Sequence, residues 1–254
     1  MPPTHASTGT GTGTGTGLSP QPRPEPDGAD TEDTLDMRLP DELIALLAGE
    51  QPLLVDPPQD TTTDGDLLDG VAGWDTATTP AGVLRLVPVR IERDLPLITR
   101  WMNDPAVAAF WELAGPAAVT AAHLRTQLDG DGRSVPCLGV LDGAPMSYFE
   151  LYRADLDPLA RHYPARLHDT GIHLLIGGVA DRGRGLGTTL LRAVADLVLD
   201  HRPSCSRVIA EPDLRNTPSV SAFMTAGFRF CAELDLPDKR AALMIRDRAL
   251  RHLL

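Results

Sequence analysis

From residue 81 onward the apolar positions recur in two rhythms, one of period two and one near 3.6. Val83-Leu84-Arg85-Leu86-Val87 reads as a strand closed by Pro88. Asp94 to Met102 reads as a helix, with Leu95, Ile98 and Trp101 or Met102 on one face, and Pro116 to Leu128 as a second helix ended by the turn at 130–132. Val135 to Leu141 and Ala144 to Tyr152 read as strands joined by Asp142-Gly143, a strong two-residue hairpin signal. Ile172 to Ile176 follows as a strand. Leu186 to Leu199 is then an amphipathic helix with Leu190, Leu191, Val194, Leu197 and Val198 on its apolar face. Arg207 to Ala210 is a short strand, Pro218 to Thr225 a helix, and Arg229 to Leu234 with Ala242 to Ile245 a final strand pair. This order predicts a mixed α/β (α+β) layer structure.

The first 80 residues lack these rhythms. Thr8 to Gly17 is a strict Thr-Gly alternation, followed by Pro20, Pro22, Pro24 and Pro26. Residues 1–33 cannot bury enough apolar surface to offset the entropy of ordering them, and they are expected to be a disordered tail. Residues 34–80 are expected to be a partly ordered arm containing one short capped helix at Pro40 to Leu47. The folded domain is expected over 81–254.

Charge supports this division. Of the 35 acidic residues, 15 lie in residues 1–80 beside only Arg23 and Arg38, so that stretch carries −13 while the rest carries +1. The nearly neutral domain offers no basic stripe, so nucleic acid is not an expected partner. Cys137, Cys205 and Cys231 have no CxxC spacing, which predicts free thiols and no metal. Neither a leader nor an apolar run of membrane-spanning length is visible. A cytoplasmic protein, monomeric or homodimeric, is therefore expected.

The chemistry concentrates at Arg182-Gly183-Arg184-Gly185-Leu186-Gly187, between a strand and a helix. Such a loop aims backbone N–H groups and the positive end of a helix dipole at one point, which makes an anion site. A purely structural loop is one reading. A dinucleotide site fits poorly, because the loop follows several antiparallel-type strands, and a P-loop would need Gly-Lys-Ser/Thr. Arg182-x-x-Gly185-x-Gly187 resembles the acyl-coenzyme A pyrophosphate motif of the Gcn5-related N-acetyltransferases (GNAT). Ala226-Gly227-Phe228, after the next strand and helix, resembles that superfamily's second motif. The resemblance spans about 83–246. It implies a mixed, mostly antiparallel twisted sheet flanked by helices. It also implies acyl-CoA, acetyl or succinyl, as co-substrate, held by Leu174, Leu175, Ile176, the 182–187 loop and Asn216. Asn216 is equally readable as the N-cap of the following helix.

Further segments narrow the resemblance. Trp101-Met102-Asn103-Asp104-Pro105, Phe110-Trp111, Tyr148-Phe149-Glu150-x-Tyr152, Gly171-x-His173 and Glu211-Pro212-Asp213 are similar to the siderophore-biosynthesis acyltransferases. This implies an acceptor with an N-hydroxyl amine, N-hydroxylysine or N-hydroxycadaverine, and a hydroxamate product. Aminoglycoside 6′-acetyltransferases share part of the pattern and supply a rival reading. A non-catalytic acyl-CoA sensor is a second rival.

His173 and Glu211 are the candidate proton-handling pair, a role the resemblance also implies. Taken singly, His173 reads equally as a core histidine and Glu211 as a solvated loop acid. Glu150 and Tyr152 share one strand face, either solvated or facing the acceptor. Trp111 is either core or pocket wall, and Asp213 is a candidate acceptor contact.

Overall fold

The computed structural model describes residues 68–253, so the expected tail and residues 34–67 of the arm lie outside the described part. Eight strands form one sheet: β1 (Ala77–Thr79), β2 (Gly82–Pro88), β3 (Ser134–Leu141), β4 (Ala144–Arg153), β5 (Thr170–Ile176), β6 (Arg207–Ala210), β7 (Arg229–Asp235) and β8 (Arg240–Asp247). Their order is β1-β2-β3-β4-β5-β6-β8-β7, and every neighbouring pair is antiparallel except β5 with β6. Five α-helices accompany it among the described residues: α1 (Ile91–Met102), α2 (Pro105–Trp111), α3 (Ala117–Leu128), α4 (Leu186–His201) and α5 (Thr217–Thr225). None is long and apolar enough to cross a membrane.

Residue chemistry explains the elements. Asp142 and Gly143 take φ of 47° and 81°, the left-handed pair that a two-residue hairpin requires. The Asp142 carboxylate also accepts the Val83 N–H at 2.8 Å, tying the hairpin to β2. On α4 the predicted stripe Leu190, Leu191, Val194, Leu197 and Val198 packs against Leu84, Phe149, Leu151 and Ile172. The opposite sheet face buries Leu138, Tyr148 and Leu175 beneath Ile98, Trp101 and Met102 of α1 and Leu124 of α3.

Two features go beyond the sequence reading. The sequence treats 68–80 as arm, yet Leu68 and Val71 are each 1% exposed within the main core, and β1 pairs with β2. The pattern there was too short to register. Helix α2 was also missed, although its signals are local: Asp104 accepts from Ala106 N–H at 2.9 Å, and Pro105 stands in the first turn. A seven-residue helix shows too little periodicity to be read against its neighbours.

Candidate active site

The site begins where the sheet parts. Parallel β5 and β6 pair only at Thr170↔Val208 and Gly171↔Ile209. β6 then stops before Glu211-Pro212, and Pro212 has no N–H to extend a ladder. β5 continues to Ile176 along β4 alone. Gly177 N–H bonds Met146 O at 2.9 Å. By the alternation of an antiparallel ladder, the backbone groups of Leu174 and Ile176 therefore face the opening. Those of Leu175 face Tyr148, so two of these three residues turn their N–H groups to the opening. All three residues line a cavity of about 740 Å³, together with Phe110, Trp111 and Phe223.

The glycine loop forms one wall of this cavity. Gly183 and Gly185 have φ of 71° and 78°, and Gly185 is the N-cap of α4. Positive φ is why these two positions suit glycine. The Arg182 guanidinium is turned toward the protein. It donates to Ile176 O (3.0 Å), Gly177 O (3.0 Å) and Asp104 Oδ1 (2.8 Å), locking the loop to the end of β5 and to the cap of α2. Arg184 is exposed, 3.9 Å from Asp181, and Leu186 opens α4. Asn216 caps α5, accepting from Ser219 N–H at 3.2 Å, and also lines the cavity.

His173 sits at the inner end of the opening. Its Nε2 lies 2.5 Å from Glu211 Oε1 and its Nδ1 lies 2.9 Å from Glu150 Oε2. Both carboxylates are buried, at 6% and 7% exposure, while about a third of the histidine side chain (34%) reaches solvent. Burial alone would lower the His173 pKa. The charge of Glu211, the hydrogen bonds that the ring donates to both carboxylates and the charge of Glu150 outweigh it, and the imidazole is held protonated well above its usual range. Burial likewise opposes ionisation of Glu211 and Glu150, but His173⁺ beside Glu211, and hydrogen bonds from His123 and His173 to Glu150, keep both below the usual carboxylate range.

Two buried tyrosines complete the row. Tyr152 donates to Glu211 Oε2 at 2.6 Å and Tyr148 to Glu150 Oε1 at 2.9 Å. Burial, reinforced by those neighbouring carboxylates, pushes both phenols well up, so they act as donors. A Cβ on Gly171 would stand 2.0 Å from the Tyr152 ring, so this glycine permits the tyrosine to lie across β5 and reach Glu211.

The structure brings the candidates His173, Glu211, Glu150, Tyr152 and Trp111 into contact. Trp111 meets His173 edge-on at 6.0 Å between ring centres, which makes it wall as well as core. Glu150 and Tyr152 are not on a solvated face; Ser147 to Arg153 is buried throughout. Asp213 lines a second, adjoining cavity of about 330 Å³, but both its oxygens are engaged by the Arg215 side chain, Oδ2 at 2.6 Å and Oδ1 at 3.1 Å. Three contributors were missed. His123 and Gln127, four apart on α3, reach Glu150 Oε1 at 2.5 and 2.7 Å, and Lys239 Nζ lies 3.6 Å from Glu211. The first two share a helix face, a spacing visible in the sequence. Lys239 had no signal. Cys137 and Cys205 are buried free thiols, and Cys231 is an exposed one.

The family described as "Acetyltransferase (GNAT) domain" matches residues 90–236. The chain belongs to this family. Its GNAT domain is 38% identical over 154 residues to lysine N-acyltransferase MbtK of Mycolicibacterium paratuberculosis, covering 61% of this chain and 69% of that protein. It is 37% identical over 155 residues to the N(6)-hydroxylysine O-acetyltransferase of Escherichia coli, covering 61% of this chain and 49% of the relative. The matched stretch thus spans between about half and about two thirds of these relatives. Among solved structures, an uncharacterized protein from Bacillus halodurans matches with a TM-score of 0.66 at 32% identity, covering 71% of this chain and 93% of that one. Aminoglycoside acetyltransferase AAC(6')-Ib in complex with coenzyme A matches with a TM-score of 0.59 at 25% identity, covering 67% and 96%.

Proposed function

We propose that the chain is an acyl-CoA-dependent N-acyltransferase acting on the N-hydroxyl amine of N-hydroxylysine or of an N-hydroxydiamine such as N-hydroxycadaverine, the step that makes a hydroxamate. The carrying observation is the row Glu150–His173–Glu211, set where the apolar cavity beside the glycine loop meets a polar one. The similarity to acyltransferases named for lysine and hydroxylysine supports the acceptor class. The likeness to a coenzyme A complex supports the donor.

The larger cavity fits the donor. Backbone N–H groups at the start of α4 suit a pyrophosphate. The unpaired edge of β5 suits a pantetheine arm, with Phe110, Trp111 and Phe223 covering it. The Leu174 and Ile176 N–H groups face the opening, where they can stabilise the oxyanion that develops as a nitrogen adds to the thioester carbon. That nitrogen becomes cationic on addition and is then a strong acid, so a weak base suffices to remove its proton. The Glu211 carboxylate takes it, with His173⁺ and the Tyr152 hydroxyl holding that carboxylate in place. The carbonyl re-forms as the thiolate of coenzyme A departs.

The same electrostatics favour an uncharged acceptor. His173 is already protonated and Glu211 is a weakened base, so no group here readily strips an alkylammonium. A hydroxylamine arrives neutral near pH 7. An aminoglycoside acceptor would not. Lys239 beside Glu211 gives the second cavity a cation besides His173⁺ to receive a succinyl carboxylate, so acetyl- and succinyl-CoA are both donors to compare. The test is release of free coenzyme A with N-hydroxylysine, N-hydroxycadaverine, their unhydroxylated parents and kanamycin, using each donor. The hydroxylated acceptors should turn over faster than the rest. Faster turnover of kanamycin or free lysine would overturn the acceptor class and leave the donor intact. No turnover with any acceptor, in protein that still binds acyl-CoA, would favour the sensor reading.

A further inference from the structure

A third cavity, also of about 330 Å³, lies against the ion row. It shares His123, Glu150, His173 and Glu211 with the second cavity and extends toward Arg133, Arg153 and Asp157. Its charges can be paired off one by one. Arg133 holds Asp131 at 2.6 Å, and buried Arg153 holds Asp155 at 2.8 Å. Glu150 and Glu211 share His173⁺. Asp157 is left. Its carboxylate accepts one N–H, from Leu159 at 2.9 Å, and makes no ion pair among the described residues. The positive groups that it feels, His173 and Lys239, are engaged with Glu150 and Glu211. Burial, together with the Glu211 charge, works against its ionisation, so a cation placed beside it would be welcome on both counts.

From this juxtaposition we infer that Asp157 is the acceptor's distal-ammonium subsite: the hydroxylamine end of the substrate reaches His173 and Glu211 while a primary ammonium at the other end of its carbon chain rests on Asp157. The inference rests on the proposed function and deepens it, because it makes the acceptor a cation-bearing hydroxylamine instead of any hydroxylamine. A lone carboxylate in a half-enclosed cavity is a poor structural element but a good ammonium receptor. Its N-cap role does not require the charge, since asparagine caps equally well.

Three acceptors test this with the full chain and acetyl-CoA: N-hydroxycadaverine, N-hydroxylysine and N-hydroxypentylamine, the last lacking a distal ammonium. The unmodified protein should favour the first two in kcat/KM by at least about tenfold, the effect of one hydrogen bond to a charged group. Raising salt should increase KM for N-hydroxycadaverine and leave N-hydroxypentylamine unaffected. Asp157→Asn should raise KM for the two cationic acceptors by about tenfold with kcat little changed, and leave the neutral one alone. Equal kcat/KM for all three acceptors, or an Asp157→Asn loss that falls equally on all three, would overturn the ammonium subsite and spare the hydroxamate reading. Turnover of none of them, with an aminoglycoside accepted, would overturn both. If Asp157→Asn fails to fold, the acceptor comparison and salt dependence in the unmodified protein still decide.

Discussion

His173 Nδ1 stands 2.9 Å from Glu150 Oε2, on the adjacent strand and directly across from it in register. Glu150 therefore fixes which way the ring turns, and its charge keeps the proton there while Glu211 occupies the other nitrogen. A histidine held at both nitrogens is pre-aimed, and its partners are separable by mutation.

Removing Glu211, or the His173 that holds it in place, should lower kcat far more than acyl-CoA affinity. For His173→Ala and Glu211→Ala the expected loss is about 10²–10⁴-fold, the usual contribution of general acid–base groups. The double variant should be little worse than the worse single one, because the pair acts as a unit. Steady-state kinetics beside calorimetric titration with the acyl donor would check this. Additive losses would break the pairing.

Glu150→Gln keeps the shape of the side chain and removes its charge. It should reduce kcat by a smaller factor than Glu211→Ala and should lower the pKa of His173. Histidine NMR titration reads that shift directly. An unmoved titration would leave Glu150 without the role assigned to it.

The histidine also links stability to pH. Its folded pKa is raised to about 10 from the ordinary 6.5, so between these values the native state binds the extra proton. The stabilisation is complete below about pH 6.5 and is lost as pH rises toward 10. Denaturant unfolding of the native protein and of His173→Gln should give a stability difference that shrinks from pH 6 to pH 9.5. A difference that grew with pH would mean the imidazole is neutral in the fold.

Gly185→Asp should weaken acyl-CoA binding by at least about tenfold. It forces a side chain onto a φ of 78° and sets a carboxylate at the anion cradle. Calorimetry finding unchanged affinity in a folded variant would remove the loop from the donor site.

Leu68→Ala should cost about 2–5 kcal/mol, the usual penalty for truncating a fully buried leucine. The residue lies upstream of the expected domain boundary, yet it is 1% exposed in the main core. Urea unfolding would measure it, and a negligible change would restore the boundary at 81.

Local chemistry alone determined much of this protein. The α4 stripe, the Asp142-Gly143 turn and the strand–loop–helix around Arg182 to Gly187 are written in consecutive residues, because helix period, turn dihedrals and glycine tolerance act over a few positions. Those signals also located His173 and Glu211. What they could not give was the partnership. Glu150 alternates with Phe149 and Leu151, and nothing local says whether its face meets water or α3; the packing of α1 and α3 decided that, and made a surface-type acid a buried partner of His173. His123, Lys239 and Asp157 come from three further elements with no shared spacing, and Leu68 and Val71 entered the core through segments too short to show a period. The His173–Glu211 contact depends on how the sheet splays between β5 and β6, a property of two strands 30 or more residues apart that no local pattern encodes.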